Sequence, residues 1–215
     1  MSEPNIDPDY ERSYLFRAGI DQLESVYRIA VDAMAAQRAE YQAKIQRILD
    51  DDLYAEEMHA RYQGGVLNPR DHMELLINQN RAALQPLCQS FLMALYHHWE
   101  RMMISWMAKK DTTPTSKYEW LARHGVQFNR DKMEDLRHLM KVIKHEKGAE
   151  LFKRRPDLFY RQNVASHENL SLRATHVIDF FEAVRGAGPS TGGTVLFNTS
   201  WSETAKRCGW ASTFK

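Results

Sequence analysis

Cysteine is scarce in this chain: Cys88 and Cys208 are the only two among 215 residues. That count excludes a disulfide framework and a paired-cysteine metal knuckle, and it makes a reducing, cytoplasmic setting the expected location. Glycine and proline are also sparse, at 10 and 7 residues, too few for a turn-rich all-β protein. No long apolar run is present. The best stretch, Ala82 to Trp99, carries Gln85, Pro86, Gln89, His97 and His98, so it reads as a buried helix and no membrane span is expected. The opening residues, MSEPNIDPDYERS, are acidic and polar and lack the apolar core of a signal peptide. A P-loop, a dinucleotide fingerprint and a nucleophile-elbow serine are absent, which disfavours those enzyme classes.

What remains is ordinary globular material, 43% hydrophobic and 27% charged, enough for one domain with appendages. The net charge of +1 hides an asymmetry. Residues 1–65 hold 13 acidic and 7 basic side chains, whereas residues 66–215 hold 15 and 22. Residues 130–161 alone hold 10 basic and 6 acidic groups, with His138 and His145 in addition. A local excess of this kind attracts phosphates or simply solvates a helical face.

Periodicity predicts an all-α fold, an up-and-down bundle of about five to six helices with an irregular C-terminal tail. From Phe16 through Ile20, Leu23, Tyr27, Ala30 and Met34 to Tyr41, Ile45 and Ile48, spacings of three and four lay one apolar stripe along one long helix or two in succession, stopped by Gly64-Gly65. A second helical stretch runs from about Asp71 to Lys110, apolar around most of its circumference, with a kink or break expected just before Pro86. One polar strip survives on it, Ser90, His97, Arg101 and Ser105, with Glu100 at its edge. Further helices are expected over Lys117 to His124, Asp131 to Lys147 (closed by Gly148) and Leu170 to Arg185. The organisation follows: a long N-terminal helical region over 1–68, a helical core over 69–186 that packs with it as one domain, and a linker with an aromatic tail over 187–215. The tail's Phe197, Trp201, Trp210 and Phe214 make it a docking element for this chain or for a protein partner, with one short extended piece near Thr194 to Asn198.

The helix over 131–147 concentrates the chemistry. At 100° per residue, Glu134, Arg137, His138, Lys141, Lys144 and His145 share about a third of the circumference, and Leu136, Leu139, Met140, Val142 and Ile143 occupy the rest. Clustered cations attract an anion, and a histidine among them titrates near neutrality. A plain amphipathic surface helix has the same pattern. Glu56 with His59, and Asp135 with His138, repeat the carboxylate-x-x-His spacing of di-iron bundles, but the further inward glutamates are lacking and His138 sits among cations. Neither a metal site nor a cofactor is expected. The Met93, Met102, Met103 and Met107 segment reads as core packing.

The run Leu136-Arg-His-Leu-Met-Lys-Val-Ile-Lys-His145, followed by Glu-Lys-Gly148 and Arg155-Pro-Asp-Leu-Phe159, resembles the fourth-helix region of HEPN-type helical domains. Ser90-Phe-Leu-Met-Ala-Leu-Tyr-His-His-Trp-Glu100 resembles the helix those proteins place centrally, so the resemblance spans roughly 71–185. It implies RNA as the partner, a homodimer, and a metal-independent endoribonuclease of a bacterial defence or toxin system, with His145 at the family's histidine position. The arginine position five residues earlier holds Met140, and Arg137 lies a turn further back. The only stretch with the literal spacing, Arg161 to His167, is no more than composition supplies by chance. Under this resemblance His145 transfers protons with Arg137 beside it, Lys141, Lys144 and His138 hold phosphate or RNA, and Glu100 supports a basic group. The alternative is a catalytically inactive HEPN-like module for dimerisation or protein interaction.

Overall fold

A computed structural model describes residues 8–62, 65, 67–107, 113–145, 147–160 and 166–188. The expected extended piece and the aromatic tail lie outside these residues. The described chain is an all-α bundle of seven helices: α1 (Pro8–Asp50), α2 (Asp52–Arg61), α3 (Pro69–Met107), α4 (Pro114–Arg123), α5 (Arg130–His145), α6 (Ala149–Arg154) and α7 (Ala174–Gly186). The N-terminal region divides at Asp51 into two helices in succession, and the count exceeds the expected five to six because a six-residue α6 follows α5. Among the described residues no helix is long and apolar enough to cross a membrane.

Local signals place the helix starts. Asp51 accepts from the Tyr54 N–H at 3.0 Å, Asn68 from Asp71 at 2.9 Å, Thr113 from Ser116 at 3.1 Å and Asn129 from Lys132 at 3.0 Å. Each side-chain oxygen satisfies one of the backbone donors that a helix N-terminus leaves free. Gly125, at φ 72°, turns the chain after α4 in the left-handed region that favours glycine. Two sequence expectations change. Gly148 precedes α6 with an ordinary φ of −93° and does not close α5 as a left-handed cap. α3 also runs unbroken through Pro86. The carbonyl deprived of its donor there belongs to Ala82, which is exposed and open to water.

α1 and α3 are long, about 65 and 58 Å at 1.5 Å per residue, and they pack antiparallel. Phe16 stacks on His98 (5.8 Å between centroids), Tyr27 meets Cys88 (Oη to Sγ 3.4 Å), and Arg38 donates to Asn80 (2.8 Å). The apolar stripe read along α1 is buried at Phe16, Ile20 and Tyr27, and only half-buried from Met34 onward. α7 closes the same core with Val177, Phe180, Phe181 and Val184. Trp99 lies at the centre of the bundle and donates its indole N–H to the Ala187 carbonyl at 2.9 Å. Gln85 of α3 holds both backbone groups of Leu172, at 2.7 and 3.0 Å, so the loop before α7 is tied to the central helix. Opposite charges reinforce the α1–α7 contact: Arg185 reaches Asp21 at 2.9 Å and Glu24 at 2.5 Å. Burial alone would raise the Glu24 pKa, but Arg185 and Arg28 outweigh it and hold it below the usual carboxylate value.

α1 approaches α3 closely at Gly19, where an added Cβ would lie 2.4 Å from His98 Cε1. The imidazole is confined by Phe16 on one side and bonded to the Phe16 carbonyl at 2.9 Å, so it has nowhere to retreat. Helix propensity favours alanine over glycine by about 1 kcal/mol. Overpacking reverses the sign, and Gly19→Ala is expected to destabilise the fold by about 1–3 kcal/mol in urea denaturation.

Burial, with Arg101 as a lesser cause, depresses the pKa of His98 below 6.5. The unfolded chain therefore binds a proton more readily than the folded one. Stability is retained above about pH 6.5 and falls as the pH drops below it. Denaturation midpoints at pH 7.5, 6.5 and 5.5 should decline in that order, and His98→Gln should flatten the trend.

Candidate nucleic-acid interface

α5 lies against α3, α6 and α7, with its apolar side in the core: Met133, Leu136, Leu139, Met140 and Val142 are buried. The polar side, uniform in a helical-wheel projection, divides into stretches with different electrostatics.

In the middle of the helix the charge is internally answered. Arg137 holds the Glu134 carboxylate through Nε at 2.8 Å and Nη2 at 2.6 Å, and Nη2 also donates to His138 Nε2 at 2.8 Å. His138 therefore keeps Nε2 unprotonated. Burial, then Arg137 and Lys141, lowers its pKa. Asp135 faces the other way, 2.6 Å from Arg154 Nε and 3.6 Å from Arg155 Nη1, and pins α6 and the following turn to α5. Asp135 and His138 thus serve separate ion-pair groups, and among the described residues no three His, Cys, Asp or Glu side chains gather in a metal-holding arrangement.

The C-terminal half is uncompensated. Lys141, Lys144, His145 and Lys147 are all exposed, and among the described residues no carboxylate pairs with any of them. Lys144 Nζ donates to His97 Nε2 of α3 at 2.8 Å, which carries the patch across the groove between the two helices. Arg101, one turn beyond His97 on the same face of α3, is also exposed. Elsewhere nearby the pattern is the opposite: Arg137, Lys153, Arg154 and Arg155 each have an acidic partner. Among the described residues, the free cations of this region fall at the two ends of α5: Arg130 and Lys132 in the first turn, and the larger, exposed group Lys141, Lys144, His145 and Lys147 around the last.

The expected catalytic pair is not brought together within the chain. Arg137 and His145 are eight residues apart on one helix, about 12 Å along its axis, and Arg137 is committed to Glu134. Met140, at the arginine position of the HEPN-like pattern, is only 3% exposed and faces the core. Glu100 lies off the α5 stripe altogether. It binds Lys117 of α4 at 2.8 Å, and its second oxygen is 3.7 Å from His97 Nδ1.

Lys117 was not foreseen: seventeen positions separate it from Glu100, and no local spacing links them. It is 3% exposed, with its ammonium 5.4 Å from the Trp99 ring. Tyr96 and Tyr118 border this pair. Burial and the neighbouring Glu100 carboxylate raise Tyr96, and burial and Glu134 raise Tyr118, so both phenols stay protonated at neutral pH. His97 was legible as part of the polar strip on α3, although its contact with Lys144 was not.

Comparison with protein-family models, with curated proteins and with solved structures returns no match to this chain.

Removing the charge of Glu100 leaves a buried ammonium without its carboxylate. Glu100→Gln should cost about 3 kcal/mol of stability by denaturant titration, and the paired change Glu100→Gln with Lys117→Met should recover part of it.

Proposed function

We propose that this protein is an HEPN-like helical bundle that binds RNA through the free cations at the end of α5. The observation that carries this reading is the run Lys141, Lys144, His145 and Lys147, exposed and without acidic partners among the described residues, joined by His97 across the groove. A polyanion entering there meets three ammonium groups whose charge is not already answered, and release of its counterions drives association. The paired cations Arg137, Arg154 and Arg155 would have to break ion pairs first, so they contribute structure more than phosphate contacts.

Binding is better supported than cleavage. Transesterification needs a base for the 2′-hydroxyl and an acid for the leaving 5′-oxygen. His145 is exposed and able to transfer a proton, but Arg137 is held by Glu134 and Met140 is buried. Catalysis would therefore require a second copy of the chain to supply the missing groups across a two-fold axis.

The alternative, a module for dimerisation or protein interaction, draws support from a different surface. Leu49 and Leu53, at the α1–α2 junction, are 55% and 79% exposed, and Leu75 near the start of α3 is 42% exposed.

A salt titration of the full chain against labelled single-stranded RNA in EDTA tests the proposal. Affinity should fall steeply with salt, and Lys141→Gln with Lys144→Gln should weaken binding and reduce the log–log slope by about 1.4, at 0.7 per charge. An unchanged slope would refute the interface. Cleavage that persists in chelator and vanishes in His145→Ala would establish the nuclease; binding without cleavage would leave a non-catalytic RNA-binding protein.

A further inference from the structure

A cavity of about 730 Å³ opens at one end of the bundle, where α1, the last turn of α3, the loop after α4 and the end of α7 converge. It lies within the size range of small-molecule sites. Its wall carries a column of flat rings. Trp106 and Trp120 are parallel to within 4° at 6.2 Å between centroids, and His124 stacks on Trp120 at 3.9 Å. The His124 Nδ1–H donates to the Trp120 carbonyl at 2.8 Å, which holds the imidazole against the indole. Phe16 braces Trp106 edge-on at 5.1 Å.

The charge in this wall is unbalanced. Two arginines line the cavity and no carboxylate does so among the described residues. Arg185 is engaged by Asp21, Glu24 and Glu182. Arg17 is different: half-buried, it has no acidic partner among the described residues, and its Nε–H is buried without an acceptor. The Trp106 Nε1–H is in the same condition. Both groups can only donate, and buried donors without acceptors are uncommon in folded proteins. Parallel indoles and a guanidinium that no carboxylate answers among the described residues complement one kind of ligand.

From this we infer that the cavity binds a planar aromatic anion, a flat ring that stacks on the Trp106–Trp120 wall and carries a carboxylate or phosphate directed to Arg17. Ring stacking on indole supplies contact area and the guanidinium selects for the charge. The inference does not depend on RNA binding at α5, since the residues involved belong to a different part of the bundle. Two sources share the chemistry, an aromatic carboxylic acid and a base bearing a phosphate, and the test separates them.

Calorimetric titration of the full chain with 2-naphthoate and with adenosine 5′-monophosphate is the experiment. At least one should bind, and the one that binds identifies the source. Cyclohexanecarboxylate, which keeps the charge without the ring, and 2-naphthalenemethanol, which keeps the ring without the charge, should each bind at least tenfold more weakly. Arg17→Met should lower the affinity of the bound anion at least tenfold. Trp106→Leu, which removes one ring of the wall, should lower it several-fold and carries the test if Arg17→Met does not fold by circular dichroism. The inference is overturned if neither anion binds at millimolar concentration, if the ringless acid binds as well as naphthoate, or if the folded variants bind as tightly as the unchanged chain.

Discussion

The antiparallel packing of α1 against α3 is the constraint on which the other elements depend. One close contact is that of Gly19 with the His98 imidazole, stacked on Phe16 and bonded to that residue's carbonyl. From there the two helices stay in register through Tyr27 with Cys88 and Arg38 with Asn80. The pairing gives α7 a surface to close, fixed by Arg185 on Asp21 and Glu24. It also turns the opposite side of α3 toward α4 and α5. Trp99, buried between these layers and bonded to Ala187, joins the central helix to the chain beyond α7.

α5 shows how packing sorts charges that composition counts as equal. Every basic residue from Arg137 to Arg155 adds one unit to the same total. The fold places Glu134 beside Arg137, Asp135 beneath Arg154 and Arg155, and Asp157 against Arg155. Those charges stabilise α6 and its following turn and present little free potential. At the end of the helix, where the described neighbours supply no carboxylate, positive charge remains available to an external anion, as it does at Arg130 and Lys132 in the first turn.

The cavity beside Trp106 illustrates the same sorting in reverse. Trp106 and Trp120 come from different helices and contribute to separate apolar faces, and neither has the spacing of a recognisable motif. Converging loops set them parallel and leave Arg17 beside them without an acid. Ring stacking and an unanswered cation therefore arise from tertiary proximity alone, outside the helix with the most conspicuous charge pattern.

Fold class and the main helices were legible in the chain, because three-and-four spacing acts within a few residues. The stripe from Phe16 to Tyr27, the central burial of Trp99 and the apolar side of α5 all followed from such local rules. Of the kink or break expected just before Pro86, the break does not occur, because one lost hydrogen bond on an exposed side is small beside the contacts that hold α3 along its length. The burial of Lys117 against Glu100, the neutralisation of Arg137, the link of Lys144 to His97 and the ring column beside Arg17 were decided only by tertiary structure. Each depends on partners brought together by the approach of helices or converging loops, or, for Arg137 and Glu134, on how deeply the bundle buries a pair that spacing alone leaves on a solvated surface.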